Sequence, residues 1–178
     1  MILKPQDVYV ALKIVSSGPN RPPYAQLASE LNMSASEVHA AVQRAEAAHL
    51  LHGPKLKNRP NYMAIEEFLL HGLKYVFPAE HGVVTRGMPT SYAAEPLRSK
   101  VAQGSDLVPV WPSETGTVRG VAFAPLYRTA AASAKRDPVF YEYLALADAL
   151  RDGRIRERKA AEGELHRRFQ QANAKHKS

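Results

Sequence analysis

The chain has 178 residues, a formal net charge of +7 at pH 7 and no cysteine. This length predicts one domain, or a small domain with an extension. The lack of cysteine excludes disulfides and thiolate metal sites and is typical of a reducing compartment. The sequence has neither the apolar core of a signal peptide nor an apolar run of membrane-spanning length. We therefore expect a cytoplasmic protein that does not contact a membrane.

The excess of basic residues is spread along the chain rather than confined to one tail. A basic protein favours polyanionic partners, because lysine and arginine neutralise phosphates and release counterions. Charge alone is weak evidence, since many basic proteins bind no nucleic acid. The positive charge becomes stronger evidence when the sequence also contains a nucleic-acid-binding motif.

The predicted elements begin with a helix over residues 5–16, since Pro5 suits a first helical turn and apolar residues recur along the segment. Residues 17–23 are rich in glycine and proline and predict a loop. Two short helices joined by a tight turn are then predicted within residues 24–51, because apolar residues recur there at helical spacing.

The turn between these two helices has its own sequence signature. Asn32 stands where the backbone must turn left-handed, a conformation that asparagine tolerates better than most residues. Ser34 is followed three residues later by Glu37, the spacing of a capping box. These residues predict that the second helix begins directly after Ser34.

The segment resembles the winged helix-turn-helix of bacterial transcription regulators such as the MarR, IclR and Lrp families. The shared pattern is carried by Leu27-Ala28, Leu31, Ser34, Ser36, Val38, Ala41-Val42, Ala45 and Leu50-Leu51. The resemblance implies that the second helix lies in the DNA major groove while the first crosses the backbone. His49 stands where these families usually have glycine. The alternative is that the alanine-rich helices are part of an ordinary helical bundle.

The resemblance makes the outward side of the second helix a candidate for base contacts. Ser36, His39 and Gln43 lie one turn apart, so that all three can face a groove together. Glutamine can pair with adenine, and serine and histidine can donate to guanine or phosphate. Arg44 and Tyr24 lie nearer the edges of this face and are predicted to contact phosphates. The alternative is a merely solvated polar face.

Residues 52–60 follow, where a winged fold has its hairpin. Lys55, Lys57 and Arg59 alternate, so an extended backbone would point all three the same way. They would then grip the minor groove or the phosphate backbone; a simple surface loop is the alternative. The predicted DNA-binding set is Tyr24, Ser34, Ser36, His39, Gln43, Arg44, Lys55, Lys57 and Arg59.

Asn61 is predicted to cap a further helix over residues 62–77. Its apolar surface exceeds the need of a winged module, and a helix near residues 138–150 is similar. We therefore expect a homodimer. The predicted dimerisation residues are Ile65, Phe68, Leu69, Leu73, Phe140 and Leu144.

Residues 79–136 contain recurrent prolines and no lasting helical period. Residues 107–111 and 117–123 predict short strands around a turn at 113–116. The segment is predicted to form an extended arm that packs against the body or a second subunit.

The C-terminal part is again helical in its pattern. Asp137 and Pro138 predict a helix start, and Gly153 an interruption. A charged helix over residues 154–169 and a frayed basic tail from Ala172 are predicted next. The cations of this region are Arg151, Arg154, Arg156, Arg158 and Lys159. Carboxylates lie among them at sequence spacings that allow salt bridges within a helix, which favours a solvated, self-neutralised helix over a second DNA-binding patch.

The sequence has no pattern that favours catalysis. It lacks a glycine-rich phosphate loop with the required lysine, and it lacks a serine nucleophile elbow. His49 and His52 have no carboxylate or thiol to complete a metal site. We expect no enzyme activity, cofactor or metal.

Together these patterns predict a mainly α protein with four segments. They are a winged helix-turn-helix at 1–60, a connecting and dimerisation helix at 61–78, a proline-rich arm with short strands at 79–136, and C-terminal helices with a basic tail at 137–178. The predicted function is a transcriptional regulator that binds double-stranded DNA as a homodimer. The alternative is an antitoxin-like module that holds a partner protein and represses its own operon.

Overall fold

Helices make up most of the structure, a computed structural model that describes residues 1–177. The helices are α1 (Pro5–Ser16), α2 (Tyr24–Leu31), α3 (Ala35–Ala47), α4 (Tyr62–Glu67), α5 (Leu73–Val76), α6 (Ala130–Arg136), α7 (Pro138–Asp152) and α8 (Ile155–Lys177). The strands are β1 (His81–Pro89), β2 (Pro109–Pro112) and β3 (Val118–Phe123). The prediction of a mainly α chain is confirmed in part, because the structure also contains a three-stranded sheet.

Helix α1 lies at the centre of the molecule. Every residue from Asp7 to Val15 is buried, so the helix is enclosed on all sides rather than along one stripe. It packs against α3 on one side and α7 on another. Its one buried lysine, Lys13, reaches the carboxylates of Glu30 at 2.7 Å and Asp137 at 2.5 Å. Burial of this charge is tolerated because both partners are anionic.

The connection from α2 to α3 has the predicted geometry. Asn32 ends α2 in the left-handed conformation, at φ 50° and ψ 46°. The Ser34 hydroxyl accepts the Glu37 backbone N–H at 3.2 Å, and a Glu37 carboxylate oxygen accepts the Ser34 N–H at 2.8 Å. The predicted turn and capping box are both confirmed.

The end of α3 is closed by a residue in a strained conformation. His49 adopts φ 61°, and the Leu50 N–H then donates to the Ala45 carbonyl at 2.9 Å. This is the usual way in which glycine ends a helix, and here a β-carbon must be accommodated.

The backbone crosses itself closely in the sheet, where Gly116 lies against Gly87. Strand β1 is antiparallel to both β2 and β3, and the two partners also meet each other in parallel at Pro109 and Val121. The loop between β2 and β3 passes over β1, where a β-carbon on Gly116 would lie 2.4 Å from the Cα of Gly87. Strands β2 and β3 lie close to the predicted strands at 107–111 and 117–123, whereas β1, which pairs with both, was not predicted.

The sheet belongs to the body of the protein, so this segment packs against the body as one form of the prediction required, but as a folded sheet and not as an extended arm. Trp111 and Phe123 are each 1% exposed and belong to the same core cluster as α1. Aromatic side chains of this size bury enough apolar area to hold the segment in place.

A buried ion pair joins the sheet to α7. The Asp148 carboxylate accepts from Trp111 Nε1 at 2.8 Å, Thr90 Oγ1 at 2.7 Å and Arg151 Nη1 at 2.9 Å. Burial raises the pKa of Asp148, and the Arg151 guanidinium and the hydrogen bonds oppose this rise. Arg151 also donates to the carbonyl of Ala124 at 3.0 Å. The predicted pairing of Arg151 with a carboxylate of its own helix is confirmed, but the prediction that Arg151 is solvated is wrong, since its side chain is 5% exposed.

The C-terminal helices begin and end partly as predicted. Asp137 caps α7, accepting the Phe140 N–H at 3.0 Å. Helix α8 extends further than predicted, because residues 172–177 continue it instead of fraying; Ser178 lies outside the described residues. Its buried Glu164 accepts from Lys100 at 2.7 Å and from Arg168 at 2.7 Å.

The predicted dimer surface is almost entirely inside the chain's own core. Phe68 is half-buried there against the main core cluster. The others are at most 2% exposed: Ile65, Leu69, Leu73, Phe140 and Leu144. The prediction that these five residues form a dimer surface is wrong, because α4, α5, α7 and α8 pack against one another within one chain. No helix among residues 1–177 combines the length and apolar content that crossing a membrane requires.

Candidate nucleic-acid interface

Helix α3 presents a polar side to solvent. Ser36, His39 and Gln43 are exposed. The opposite side carries Val38, Ala41, Val42 and Ala45, all buried. At 3.6 residues per turn the three polar residues fall in one row along the helix. The helix is therefore held by its apolar side, with its predicted base-contacting side open.

An aromatic and cationic stack flanks this row. The Tyr24 ring meets the His39 ring edge-on, with centroids 5.3 Å apart. The Arg21 guanidinium lies over the Tyr24 ring, 4.6 Å from its centroid. Arg21 Nε also donates to the Lys57 carbonyl at 3.1 Å. Arg21 and Tyr24 thus link the loop before α2 to the turn after α3.

The segment after α3 is a compact turn and not an extended strand. A single turn of 3-10 helix covers Pro54–Leu56, and Lys57 and Asn58 are both left-handed, with φ 53° and 51°. The predicted alternation of Lys55, Lys57 and Arg59 along an extended wing is therefore wrong. The three cations remain exposed.

The turn is fastened to α3 through a buried amide. Asn58 is 5% exposed, and its Nδ2 donates to a Glu46 carboxylate oxygen at 3.2 Å and to the His52 carbonyl at 3.3 Å. At its base, the His52 N–H donates to the Arg59 carbonyl at 2.8 Å. The position of Lys57 and Arg59 beside α3 is thus fixed by contacts.

Between the stack, α3 and the turn lies an open polar cleft of about 590 Å³. Its walls include three cations, Arg21, Lys57 and Arg59, against one carboxylate, Glu46. Gln43 and His39 stand on the helix side of the same cleft. A cleft with this balance of charge attracts anions such as phosphate.

Two predicted DNA contacts have other partners. The Ser34 hydroxyl caps α3 and lies 3.1 Å from Ser36 Oγ. The Arg44 guanidinium donates to the fully buried Asp7 carboxylate at 2.7 to 3.1 Å. The prediction that Arg44 contacts phosphate is wrong in this structure, since its donors are directed into the protein.

A segment distant in sequence covers the turn before α3. Thr129 Oγ1 donates to the Leu31 carbonyl at 2.7 Å, and Arg136 Nη2 donates to the Glu30 carbonyl at 3.1 Å. Tyr127 Oη donates to the Glu37 carboxylate at 3.0 Å. Hydrogen bonds from Ser34, and then from Tyr127, lower the pKa of Glu37.

Sequence reasoning missed two cations of this region. Arg21 lies three residues before Tyr24, a spacing at which a cation and a ring can meet, so a local signal existed. Arg128 reaches α3 only through the tertiary fold, and no local pattern identifies it.

In comparisons with known proteins, no family model, curated sequence or solved structure matches this chain.

Proposed function

We propose that the chain is a sequence-specific transcriptional regulator that binds double-stranded DNA with the exposed side of α3. The observation that carries this proposal is the open polar row of Ser36, His39 and Gln43 on a helix whose other side is buried. These side chains have the donors and acceptors that read base edges in the major groove. Because the buried apolar side already fixes the backbone of α3, little backbone entropy is lost when these side chains bind.

The local arrangement supports a winged helix-turn-helix. Helices α1 to α3 pack together, and α2 and α3 are joined by the tight Asn32 turn. The chain then returns through a loop closed by the antiparallel bridge between Leu51 and Pro60. We interpret this short loop as the wing, with Lys57 and Arg59 as its phosphate contacts.

The antitoxin-like alternative loses its main argument. It depended on an extended, irregular segment able to wrap a partner, whereas residues 81–123 contain a sheet that is packed into the core. A homodimer stays part of our proposal, because most such modules bind paired half-sites. The second copy would have to dock on a face other than the buried dimer residues.

Selection from random duplexes tests the proposal without knowledge of the operator. The wild type should enrich a short motif, and the His39→Ala, Gln43→Ala double variant should lose preference at some of its positions. Each lost bidentate base contact should cost about 1–3 kcal/mol of discrimination. Gln170→Ala, at an exposed position of α8, is the matched control and should keep the motif.

Two results would overturn the proposal. One is a wild-type protein that enriches no motif and binds no duplex at low salt. The other is an enriched motif that the double variant reproduces unchanged, because the row on α3 would then not be the reading surface.

A further inference from the structure

The exposed side of α3 is bounded by two carboxylates on opposite flanks. Glu37 and Glu46 are nine positions apart, which at 3.6 residues per turn places them about half a turn from each other around the helix. Ser36 and Gln43 lie on the exposed arc between them. Any duplex that receives this arc in its major groove must bring one phosphate backbone past each flank.

The Glu46 flank already has its cations, because it borders the cleft with Lys57 and Arg59. The Glu37 flank is occupied by a residue from the distant segment before α6. Arg128 Nη2 lies 3.9 Å from Glu37 Oε1, and its guanidinium lies 4.9 Å from the Tyr127 ring centroid. Its side chain is 74% exposed, so most of its donors face solvent.

The position of Arg128 is set by its neighbours on both sides in the chain. Tyr127 is buried and donates to Glu37, and Thr129 donates to the Leu31 carbonyl. Asn32 Nδ2 further donates to Ser133 Oγ at 3.3 Å. These contacts fix the backbone at Arg128 beside α3, so binding an anion there does not require the segment to be ordered first.

We infer that Arg128 is a DNA phosphate contact that completes a two-sided grip, with Lys57 and Arg59 on one backbone and Arg128 on the other. This inference rests on the proposed function and adds a contact contributed by the C-terminal part of the chain. Arginine suits this task, since its planar guanidinium presents several donors to phosphate oxygens. Glu37 then orients the guanidinium and does not neutralise it fully, because the 3.9 Å separation is too long for a hydrogen bond.

The test is the salt dependence of binding to a labelled random-sequence duplex of about 20 base pairs, two helical turns. The negative slope of log K against log salt should become shallower by about 0.9 in Arg128→Ala, which corresponds to the loss of one phosphate contact. Affinity at low salt should fall several-fold for every duplex sequence. Arg119→Ala, an exposed arginine on β3, is the matched control and should keep the wild-type slope.

A second variant separates a phosphate contact from a purely structural role. Glu37→Gln keeps the capping box, since glutamine can serve in it. If Arg128 acted only by compensating Glu37, adding Glu37→Gln to Arg128→Ala would restore the wild-type slope. We expect no such rescue, and rescue would overturn the inference.

Different results would refute the Arg128 contact and the proposed function. A wild type that binds the duplex, together with an Arg128→Ala variant of the same slope, refutes the Arg128 contact alone. A wild type without salt-dependent duplex binding refutes the proposed function itself.

Discussion

Arg44 on α3 is locked to Asp7 on α1, with both carboxylate oxygens within 3.1 Å of Arg44 nitrogens. The Asp7 side chain is 0% exposed and that of Arg44 is 13% exposed. Asp7 also accepts the Lys4 N–H at 2.7 Å, closing the first turn of α1. The pair therefore fixes how α3 is seated on the central helix.

Arg44→Ala should destabilise the fold. The variant leaves the Asp7 carboxylate buried without its cation, which costs about 3–5 kcal/mol of unfolding free energy. Urea denaturation measures this cost. The Lys55→Ala variant, at an exposed position, should unfold like the wild type. A loss below about 1 kcal/mol would mean that the pair is solvated.

His49→Gly should stabilise the protein by about 0.5–1 kcal/mol, because glycine adopts φ 61° without the steric cost that a β-carbon brings. His49→Ala is the control and should bring no such gain, since alanine keeps the β-carbon. Thermal unfolding of the three proteins provides the comparison. A glycine variant less stable than the wild type would show that the His49 side chain itself contributes.

The same substitution should have opposite effects at two glycines. Gly116→Ala forces a β-carbon to 2.4 Å from Gly87 Cα and should cost about 2 kcal/mol or more. In Gly163→Ala the added carbon meets nothing within 4 Å apart from the adjoining backbone of its own helix, and the better helix propensity of alanine should add about 0.5–1 kcal/mol. Guanidinium titrations of both variants check the two signs. Equal effects would contradict the crossing of the β2–β3 loop over β1.

Glu164 should make stability depend on pH in the acid range. Burial acts to raise its pKa, but hydrogen bonds from Arg167, Lys100 and Arg168 outweigh burial and lower the pKa from 4.5 to about 2. A lowered pKa means that the stabilisation is present above pH 4.5 and is lost as the pH falls through about 2.

Replacing this carboxylate tests the assignment. Glu164→Gln should lower stability at neutral pH by roughly 1–2 kcal/mol, a figure reduced for the solvent exposure of two partners, and should flatten the acid limb. Glu162→Gln, at an exposed position of the same helix, should retain the acid limb. An unchanged acid limb in Glu164→Gln would assign the pH dependence to other groups.

Elements whose cause is local were predictable from the sequence. The Asn32 turn and the Ser34–Glu37 capping box depend on residues within one helical turn of each other. The start of α7 at Asp137 and Pro138 is of the same kind. Side-chain chemistry at short spacing determines such features almost alone.

Features that depend on distant partners were not predictable. Nothing near Arg44 indicates that Asp7 will take its donors, and nothing near Glu37 indicates Arg128. The sequence predicts apolar surfaces on α4 and α7, but it does not state whether such a surface packs within one chain or against a second copy. The predicted alternation of Lys55, Lys57 and Arg59 failed because it requires an extended backbone, which Pro54 and Asn58 do not adopt here.

The enclosure of α1 has a consequence for how the protein can be divided. A fragment ending near residue 60 would lack Phe140, whose ring centroid lies 5.2 Å from that of Tyr9. The apolar side of α1 that faces α7 would then be exposed to solvent. Residues 1–60 are therefore not expected to fold as a separate unit, because part of the surface that covers α1 is supplied by α7.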